Sequence, residues 1–290
     1  MATVNDDYPK SQKQKPLSDA ELKAIAIAKH ESNASESNKA SESKFPTEII
    51  QLPSKGKFYP EGHPLKDGTV EMRYMTAREE DILTNQSYIR QGVVLDKLFQ
   101  SLLVTKFNYN DLLVGDKNAI MIAARVLGYG KEYEFETMGP SGNKQSISVD
   151  LTQLEDKEID WDAIKDNDNT ITITLPASKR TVVVQLMTHG IQKKIDSEEK
   201  AIKKLKKDAS VTTMLKHLII SVDGEEETKS IRHFVDNELF AIDSRYIRNE
   251  IKNVTPDVNM EIDAVDEEDG EPFRCQVAIG LDFFWPDTKI

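Results

Sequence analysis

Residues 52–104 read LPSKGKFYPEGHPLKDGTVEMRYMTAREEDILTNQSYIRQGVVLDKLFQSLLV, and this stretch carries the densest turn, strand and helix signals in the chain. Prolines and glycines recur between residues 53 and 68, where the fixed φ of proline and the positive φ open to glycine favour tight turns over a helix. Val70, Met72 and Tyr74 then alternate with polar residues, as in a half-buried strand. We therefore expect a series of turns that leads into one strand.

Two helices are predicted directly after this strand. Thr76 and Glu79 have the spacing of a capping box, in which each residue satisfies a free backbone donor of the first turn. The second helix is strongly apolar on one face and predicts the centre of the core. Its core side chains are Val94, Leu95, Leu98, Phe99, Leu102 and Leu103.

Composition and charge limit the classes of function. The chain has 290 residues, a net charge of -12 and one cysteine, Cys275. The negative charge argues against nucleic acid as a partner, because phosphate contact needs concentrated lysine and arginine. A single cysteine excludes an intrachain disulfide and a multi-cysteine zinc site. No segment approaches the roughly 20 apolar residues that span a bilayer, so no membrane partner is predicted.

Residues 1–44 predict a flexible N-terminal arm, since they are rich in Ser, Glu, Asn and Lys. Within the arm, Leu22, Ile25 and Ile27 mark a short, weakly amphipathic helix near residues 18–30. A helix of this length is marginal in isolation. Two interpretations remain open: a helix that folds on contact with a partner, and a structureless leader.

The remaining chain predicts an α+β fold, with short antiparallel strands and hairpins, packed helices and the flexible arm. Hairpins are expected at residues 133–151 and 170–186, and Asp116 is expected to cap the helix before the first of them. A helix is expected to begin within residues 186–207, to include Glu198 and to stop near Asp223, and a further helix or pair of helices is expected over residues 231–254, with Phe240 and Tyr246 facing inward. We place subdomains at residues 45–155 and 156–290.

The C-terminal region combines an acidic segment with an aromatic one. Residues 261–271 resemble a calcium loop in composition, but Val265 and Gln276 would occupy the first and last ligand positions, so the segment predicts a solvated loop. Phe273, Cys275 and Val277 alternate as in a strand. Phe283, Phe284 and Trp285 then form an aromatic plug, for the chain's own core or for a partner's pocket.

The search for chemistry identifies no catalytic, cofactor-binding or metal-binding residue. The five histidines are scattered, and none has a ligand partner at helical spacing. Carboxylate pairs such as Glu79 and Glu80 lie in charged runs, which predicts exposed side chains with ordinary pKa values. We therefore do not expect an enzyme.

Six segments together carry a resemblance to a known family. The chain resembles the baseplate hub and tail-assembly proteins of T-even-type contractile-tailed bacteriophages, chiefly over residues 47–195. The resemblance implies a structural or morphogenetic protein without catalytic residues, which acts in the host cytoplasm during assembly and is a candidate component of the virion tail baseplate. The segments are LPSKGKFYPEGHPL, GTVEMRYMTAREEDIL, VVLDKLFQSLLV, GDKNAIMIAARVLGYGKEYEF, VDLTQLEDKEID and LPASKRTVVVQLMTHG.

One departure from the family concerns the first hairpin turn. Some relatives carry a Cys-Pro-x-Cys-like turn suited to zinc, whereas this chain has Met138, Gly139, Pro140, Ser141 and Gly142 there. Without thiols, we expect the turn to hold by its glycines and strand pairing alone.

Partner contact is the predicted mode of action, with other phage baseplate hub or tail proteins as the partners. The loop from Ser54 to Pro64, with Phe58, Tyr59 and His63, is the predicted exposed contact surface, together with Leu22, Ile25 and Ile27 of the arm. Two alternatives stay open: a transient assembly chaperone that is absent from the mature virion, and an unrecognised assembly enzyme. The sequence also leaves homo-oligomer formation open.

Overall fold

A computed structural model of the chain describes residues 46–159, 161, 164, 169–204, 209–279 and 281–284. The predicted arm, its helix near residues 18–30 and its contact residues Leu22, Ile25 and Ile27 lie outside the described residues. Within them the chain is α+β, with short antiparallel strand pairs and packed helices, as predicted.

The first hairpin joins β1 (Thr47–Gln51), which the sequence analysis missed, to β2 (Thr69–Arg73) in antiparallel register. The predicted turns lie between them and are tightly packed. Gly56 has a φ of +73°, and a Cβ atom there would lie 1.9 Å from the carbonyl oxygen of Lys66. Only glycine fits this crossing of two turns.

Four helices lie between β2 and the next strand. Val94, Leu98, Phe99, Leu102 and Leu103 are all buried, and Leu95 packs against them, so the predicted centre of the core is confirmed. Residues 109–111 form a short 3-10 turn before the fourth helix. The helices are α1 (Ala77–Leu83), α2 (Gln86–Gln91), α3 (Val94–Leu102) and α4 (Val114–Tyr129).

Both predicted hairpins are present. The strands β3 (Glu132–Met138) and β4 (Lys144–Asp150) form the first of them. β5 (Thr170–Thr174) and β6 (Thr181–Gln185) form the second, and β7 (Ile219–Val222) pairs with β6 as a third strand.

The expectation that a helix extends to about Asp223 is wrong. The chain forms α5 (His189–Lys204) and α6 (Ser210–Leu218) and then turns directly into β7. The apolar run at the end of α6 continues into a buried strand, and a short apolar run does not distinguish helix from strand by periodicity.

The C-terminal part begins with two helices, α7 (Thr228–Asn237) and α8 (Ala241–Val254). The acidic segment expected to be a solvated loop instead supplies β8 (Glu261–Val265), which pairs with β9 (Pro272–Gln276). Ile262 and Ala264 of β8 pack against the core. These apolar residues alternate with charged ones as in a half-buried strand, but the many charged residues of the segment concealed this pattern.

Buried apolar side chains form two main clusters. The first includes the β1–β2 turns, α3, α4 and the C-terminal Phe283 and Phe284, both fully buried. The own-core interpretation of the aromatic plug is therefore confirmed for these two residues, while Trp285 lies outside the described residues. The second cluster lies between the β5–β6–β7 sheet and helices α6 to α8. The first cluster draws on residues before and after 155, and the subdomain boundary there stays a prediction.

Candidate protein-contact surface

The loop predicted as an exposed contact surface is largely buried. Phe58 is 2% exposed and Tyr59 is 3% exposed, and both belong to the first core cluster. His63 is half-buried and stacks on Tyr59 with ring centroids 4.8 Å apart. The expectation that Phe58 and Tyr59 are exposed is wrong, because the turns fold inward onto α4 and carry these rings with them.

Asp116 holds this loop in place. Its Oδ1 accepts the backbone N–H of Ser54 at 2.9 Å, and its Oδ2 accepts the Tyr59 hydroxyl at 2.7 Å. Asp116 was expected to be the helix cap, but the residue at that position is Leu113, and Asp116 lies in the first turn of α4. Burial raises its pKa to about 6, against the opposing effect of these hydrogen bonds.

Glu79 is also buried, contrary to expectation. Its carboxylate accepts hydrogen bonds from Arg73 at 2.6 Å, from the Ser101 hydroxyl at 3.0 Å and from the Thr76 backbone N–H at 3.1 Å. Burial alone would raise the pKa of Glu79, but the bonds from Arg73, Thr76 and Ser101 lower it to about 2. The predicted capping interaction from Glu79 to Thr76 is thus present as part of a larger ion-pair network.

A second charge network, partly buried, joins α3, α4 and α5. Lys117 lies 2.7 Å from Asp96 and 3.3 Å from Nδ1 of His189, and His189 Nε2 lies 3.4 Å from Asp96. Burial lowers the pKa of His189, and the neighbouring Asp96 only partly opposes this effect. These polar groups contact one another, so the network's evident role is to connect three helices.

An exposed apolar corner lies where α7 passes into α8. Phe240 is 56% exposed, Ile242 is 61% exposed and Tyr246 is 38% exposed. Ile242 and Tyr246 are four residues apart on α8 and share one face, and Phe240 is the residue that precedes this helix. Single exposed apolar residues are ordinary on a protein surface, but three within seven positions mark a candidate contact site. We call Phe240, Ile242 and Tyr246 the corner surface.

The buried face of α8 fixes the corner surface to the fold. Ile247 is fully buried in the second core cluster. Asp243 is also fully buried and accepts the backbone N–H groups of Ala177 at 2.8 Å and Ser178 at 3.0 Å. Burial would raise the pKa of Asp243, but these hydrogen bonds lower it. The turn between β5 and β6 is therefore tied to the start of α8.

Charged side chains lie beside the Phe240 end of the corner surface. Arg180 pairs with Asp223 at 2.7 Å and with Glu238 at 2.6 Å, and its guanidinium lies 4.7 Å from the centre of the Phe234 ring. A shallow groove of about 430 Å³ runs between Arg180 and Phe240. Apolar anchors within a polar rim are the usual anatomy of a protein interface.

The sequence analysis placed Phe240 and Tyr246 inward, and this was wrong. The chain breaks after Asn237, and the new helix begins at Ala241. The break resets the helical phase, so that Asp243 and Ile247 face the core and Tyr246 faces solvent. A signal was available, because an acidic residue such as Asp243 is favoured in the first turn of a helix.

The described part of the chain contains no group of three or more His, Cys, Asp or Glu side chains arranged to hold a metal ion. Among the same residues, no helix combines the length and the apolar content needed to cross a membrane.

Comparisons with models of protein families, with curated proteins and with solved structures gave no match. The phage family resemblance therefore rests on the quoted sequence segments, and the contact surface rests on the geometry of this chain.

Proposed function

We propose that this chain is a structural or morphogenetic protein of the baseplate hub of a contractile-tailed bacteriophage. It takes part in tail assembly through contacts with other hub or tail proteins. The observation that carries the proposal is the corner surface, where Phe240, Ile242 and Tyr246 are exposed at the start of a helix that Asp243 ties to the β5–β6 turn. The resemblance of residues 47–195 to the phage family supports the same function.

Buried charge supports a contact function over a catalytic one. Glu79 and Asp116 have the strongly shifted pKa values that often mark active sites. Each is fully buried and is bonded to groups that hold neighbouring elements together. Hydrogen bonds account for the lowered pKa of Glu79, and burial accounts for the raised pKa of Asp116, so neither shift requires a substrate.

The proposed setting is the host cytoplasm during tail assembly, followed by incorporation into the virion baseplate. The runner-up is a transient assembly chaperone that uses the same surface and then leaves. Mass spectrometry of purified virions separates the two: we expect peptides of this chain at baseplate stoichiometry. Their absence, with the chain present in infected cells, would establish the chaperone instead.

Complementation tests the function itself. A phage with its copy of this reading frame interrupted should accumulate incomplete tails, and the wild-type chain should restore infectious particles. The double variant Phe240→Asp and Ile242→Asp should fail to restore them, because two charges in the corner surface would disrupt an apolar contact. Val211→Asp changes another exposed apolar residue, 44% exposed, and should complement. Normal tails without the chain would contradict the proposal.

A further inference from the structure

A row of cations runs along α8 beside the corner surface. Arg245, Arg248 and Lys252 are all exposed and are spaced by three and four residues, which aligns them on one side of the helix. Arg248 donates to the carbonyl oxygen of Ser244 in its own helix, at 3.3 Å. Lys157 adds a cation to this side, since its Nζ donates to the carbonyl oxygen of Lys252.

Some cations of this chain have acidic partners, and others, such as the exposed Lys193 and Lys194, form no ion pair within the described residues. Arg180 pairs with Asp223, Lys131 with Asp150 and Lys216 with Asp236. By contrast, Arg245, Arg248 and Lys252 form no ion pair with any residue that the structure describes. In a chain with a net charge of -12, acids to pair with them are abundant. A row left free on one helix face is therefore available to an external acidic group.

The apolar and cationic rows are adjacent on the helix. Arg245 lies three residues after Ile242, and Tyr246 lies four residues after Ile242, so both are about one helical turn from Ile242. An incoming segment that buries an apolar side chain on Ile242 and Tyr246 would thus bring its flanking residues over Arg245 and Arg248. Carboxylates there would form charge-assisted hydrogen bonds with the guanidinium groups.

We propose that the corner surface binds an acidic protein segment, which lays apolar side chains on Ile242 and Tyr246 and carboxylates along Arg245, Arg248 and Lys252. This inference rests on the proposed function, which makes the donor of the segment a phage tail protein. A protein segment fits better than nucleic acid, because the exposed aliphatic side chain of Ile242 needs an apolar counterpart and the overall negative charge repels a phosphate backbone.

Site-specific photo-cross-linking in infected cells tests the inference. The chain carries Tyr246→p-benzoylphenylalanine, and the cross-linked peptide is identified by mass spectrometry. We expect a peptide with several Asp or Glu residues around an apolar residue. Adding Arg245→Glu and Arg248→Glu should lower the cross-link yield about tenfold or more, because repulsion replaces two ion pairs. The control pair Lys193→Glu and Lys194→Glu, exposed on α5, makes the same change in net charge and should leave the yield unchanged.

The outcomes separate the two proposals. An acidic peptide from a host protein would support the acidic-segment inference and contradict the phage-hub function. A neutral or basic peptide from a tail protein would support the hub function and overturn the inference. Cross-links to nucleic acid, to a second copy of this chain or to nothing would also overturn it, as would equal yields from the Arg245→Glu, Arg248→Glu chain and its control. Thermal unfolding of each variant verifies that the fold is intact.

Discussion

The hydroxyl of Tyr59 donates a 2.7 Å hydrogen bond to Oδ2 of Asp116, and it accepts the backbone N–H of Leu113 at 3.1 Å. One buried hydroxyl thus connects the turns after β1 with the first turn of α4. Burial raises the pKa of Tyr59 well above its usual range, so the phenol remains a donor. This pair explains why a loop rich in glycine and proline belongs to the core.

Tyr59→Phe should destabilise the protein. The change leaves the Leu113 N–H and one carboxylate oxygen of Asp116 without their buried partner, which costs about 1–3 kcal/mol. Urea denaturation measures the loss of unfolding free energy. Tyr246→Phe, at an exposed position of α8, is the control and should change stability by less than about 0.5 kcal/mol. Equal effects of the two changes would contradict the role assigned to Tyr59.

Asp116 gives the stability an unusual dependence on pH. Burial raises its pKa from 3.8 to about 6, so the folded state keeps this proton after the unfolded chain has released it. The wild type should therefore lose stability as pH rises from about 4 to 6, by roughly 3 kcal/mol relative to Asp116→Asn. Denaturant unfolding at pH 4 and pH 7 measures this difference.

The control for Asp116 is Asp150→Asn. The hydrogen bond from Lys131 lowers the pKa of Asp150 to about 2, so Asp150 is ionised in the folded state at pH 4, where the unfolded chain, with the ordinary pKa of 3.8, is already more than half ionised. The difference between wild type and this variant should stay nearly constant from pH 4 to pH 7. If Asp116→Asn also gives a constant difference, the Asp116 carboxyl is not perturbed in the folded protein.

Replacement of Phe58 and of Phe240 by alanine should have opposite effects on stability and on partner binding. Phe58 is 2% exposed and packs beside Trp161 with ring centroids 6.3 Å apart, whereas Phe240 is 56% exposed. Phe58→Ala should lower the unfolding free energy by about 3–5 kcal/mol through cavity formation. Phe240→Ala should leave stability nearly unchanged and weaken partner binding. Calorimetry and partner pull-down measure the two effects, and a stable Phe58→Ala protein would restore the original contact-loop interpretation.

Local signals predicted much of this fold, and long-range contacts decided what was missed. The core residues of α3 and both predicted hairpins follow from periodicity within a few residues. The burial of Phe58 depends on Asp116, which is distant in sequence and joins the loop through the backbone of Ser54. The strand β8 was hidden because its charged residues suggest a solvated loop. The exposure of Tyr246 depends on where α8 begins, and helix boundaries are the least certain part of a prediction from sequence.

Glu79→Gln should remove an ion pair that joins β2, α1 and α3. Arg73, 17% exposed, would keep its charge without a carboxylate partner, at a cost of about 3 kcal/mol or more. The pKa of Glu79 is lowered from 4.5 to about 2, so the wild-type advantage is present above pH 4.5 and declines as pH falls toward 2. Unfolding curves across this range measure it.

The control for Glu79 is its exposed neighbour. Glu80→Gln removes the same charge from the same turn of α1 and should cost less than about 0.5 kcal/mol. Similar losses of unfolding free energy from both changes would show that the net charge at the start of α1 determines the effect. The hydrogen-bond network around Arg73 would then make no separate contribution to stability.

Asp266 holds the turn that was expected to rely on glycines and strand pairing alone. It lies in the turn after β8 and accepts the backbone N–H of Ser141 at 3.0 Å, the Ser141 hydroxyl at 3.1 Å and its own turn's Glu268 N–H at 2.9 Å. The turn from Met138 to Asn143 is thus fastened by a carboxylate from a second hairpin. A Cβ atom on Gly139 would lie 2.4 Å from Oδ2 of Asp266, so a larger residue there would displace this carboxylate.

Asp266→Ala should therefore release the tip of the β3–β4 hairpin while its strands stay paired. Hydrogen exchange should become faster at the Ser141 and Glu268 amides and remain unchanged in β5 and β6, because only these two N–H groups lose their acceptor. Gly139→Ala should give the same local pattern by displacing the carboxylate. Asp263→Ala, at an exposed position of β8, is the matched control and should leave both amides protected. Unchanged exchange at Ser141 in Asp266→Ala would show that the strand pairing of β3 and β4 holds the turn without help.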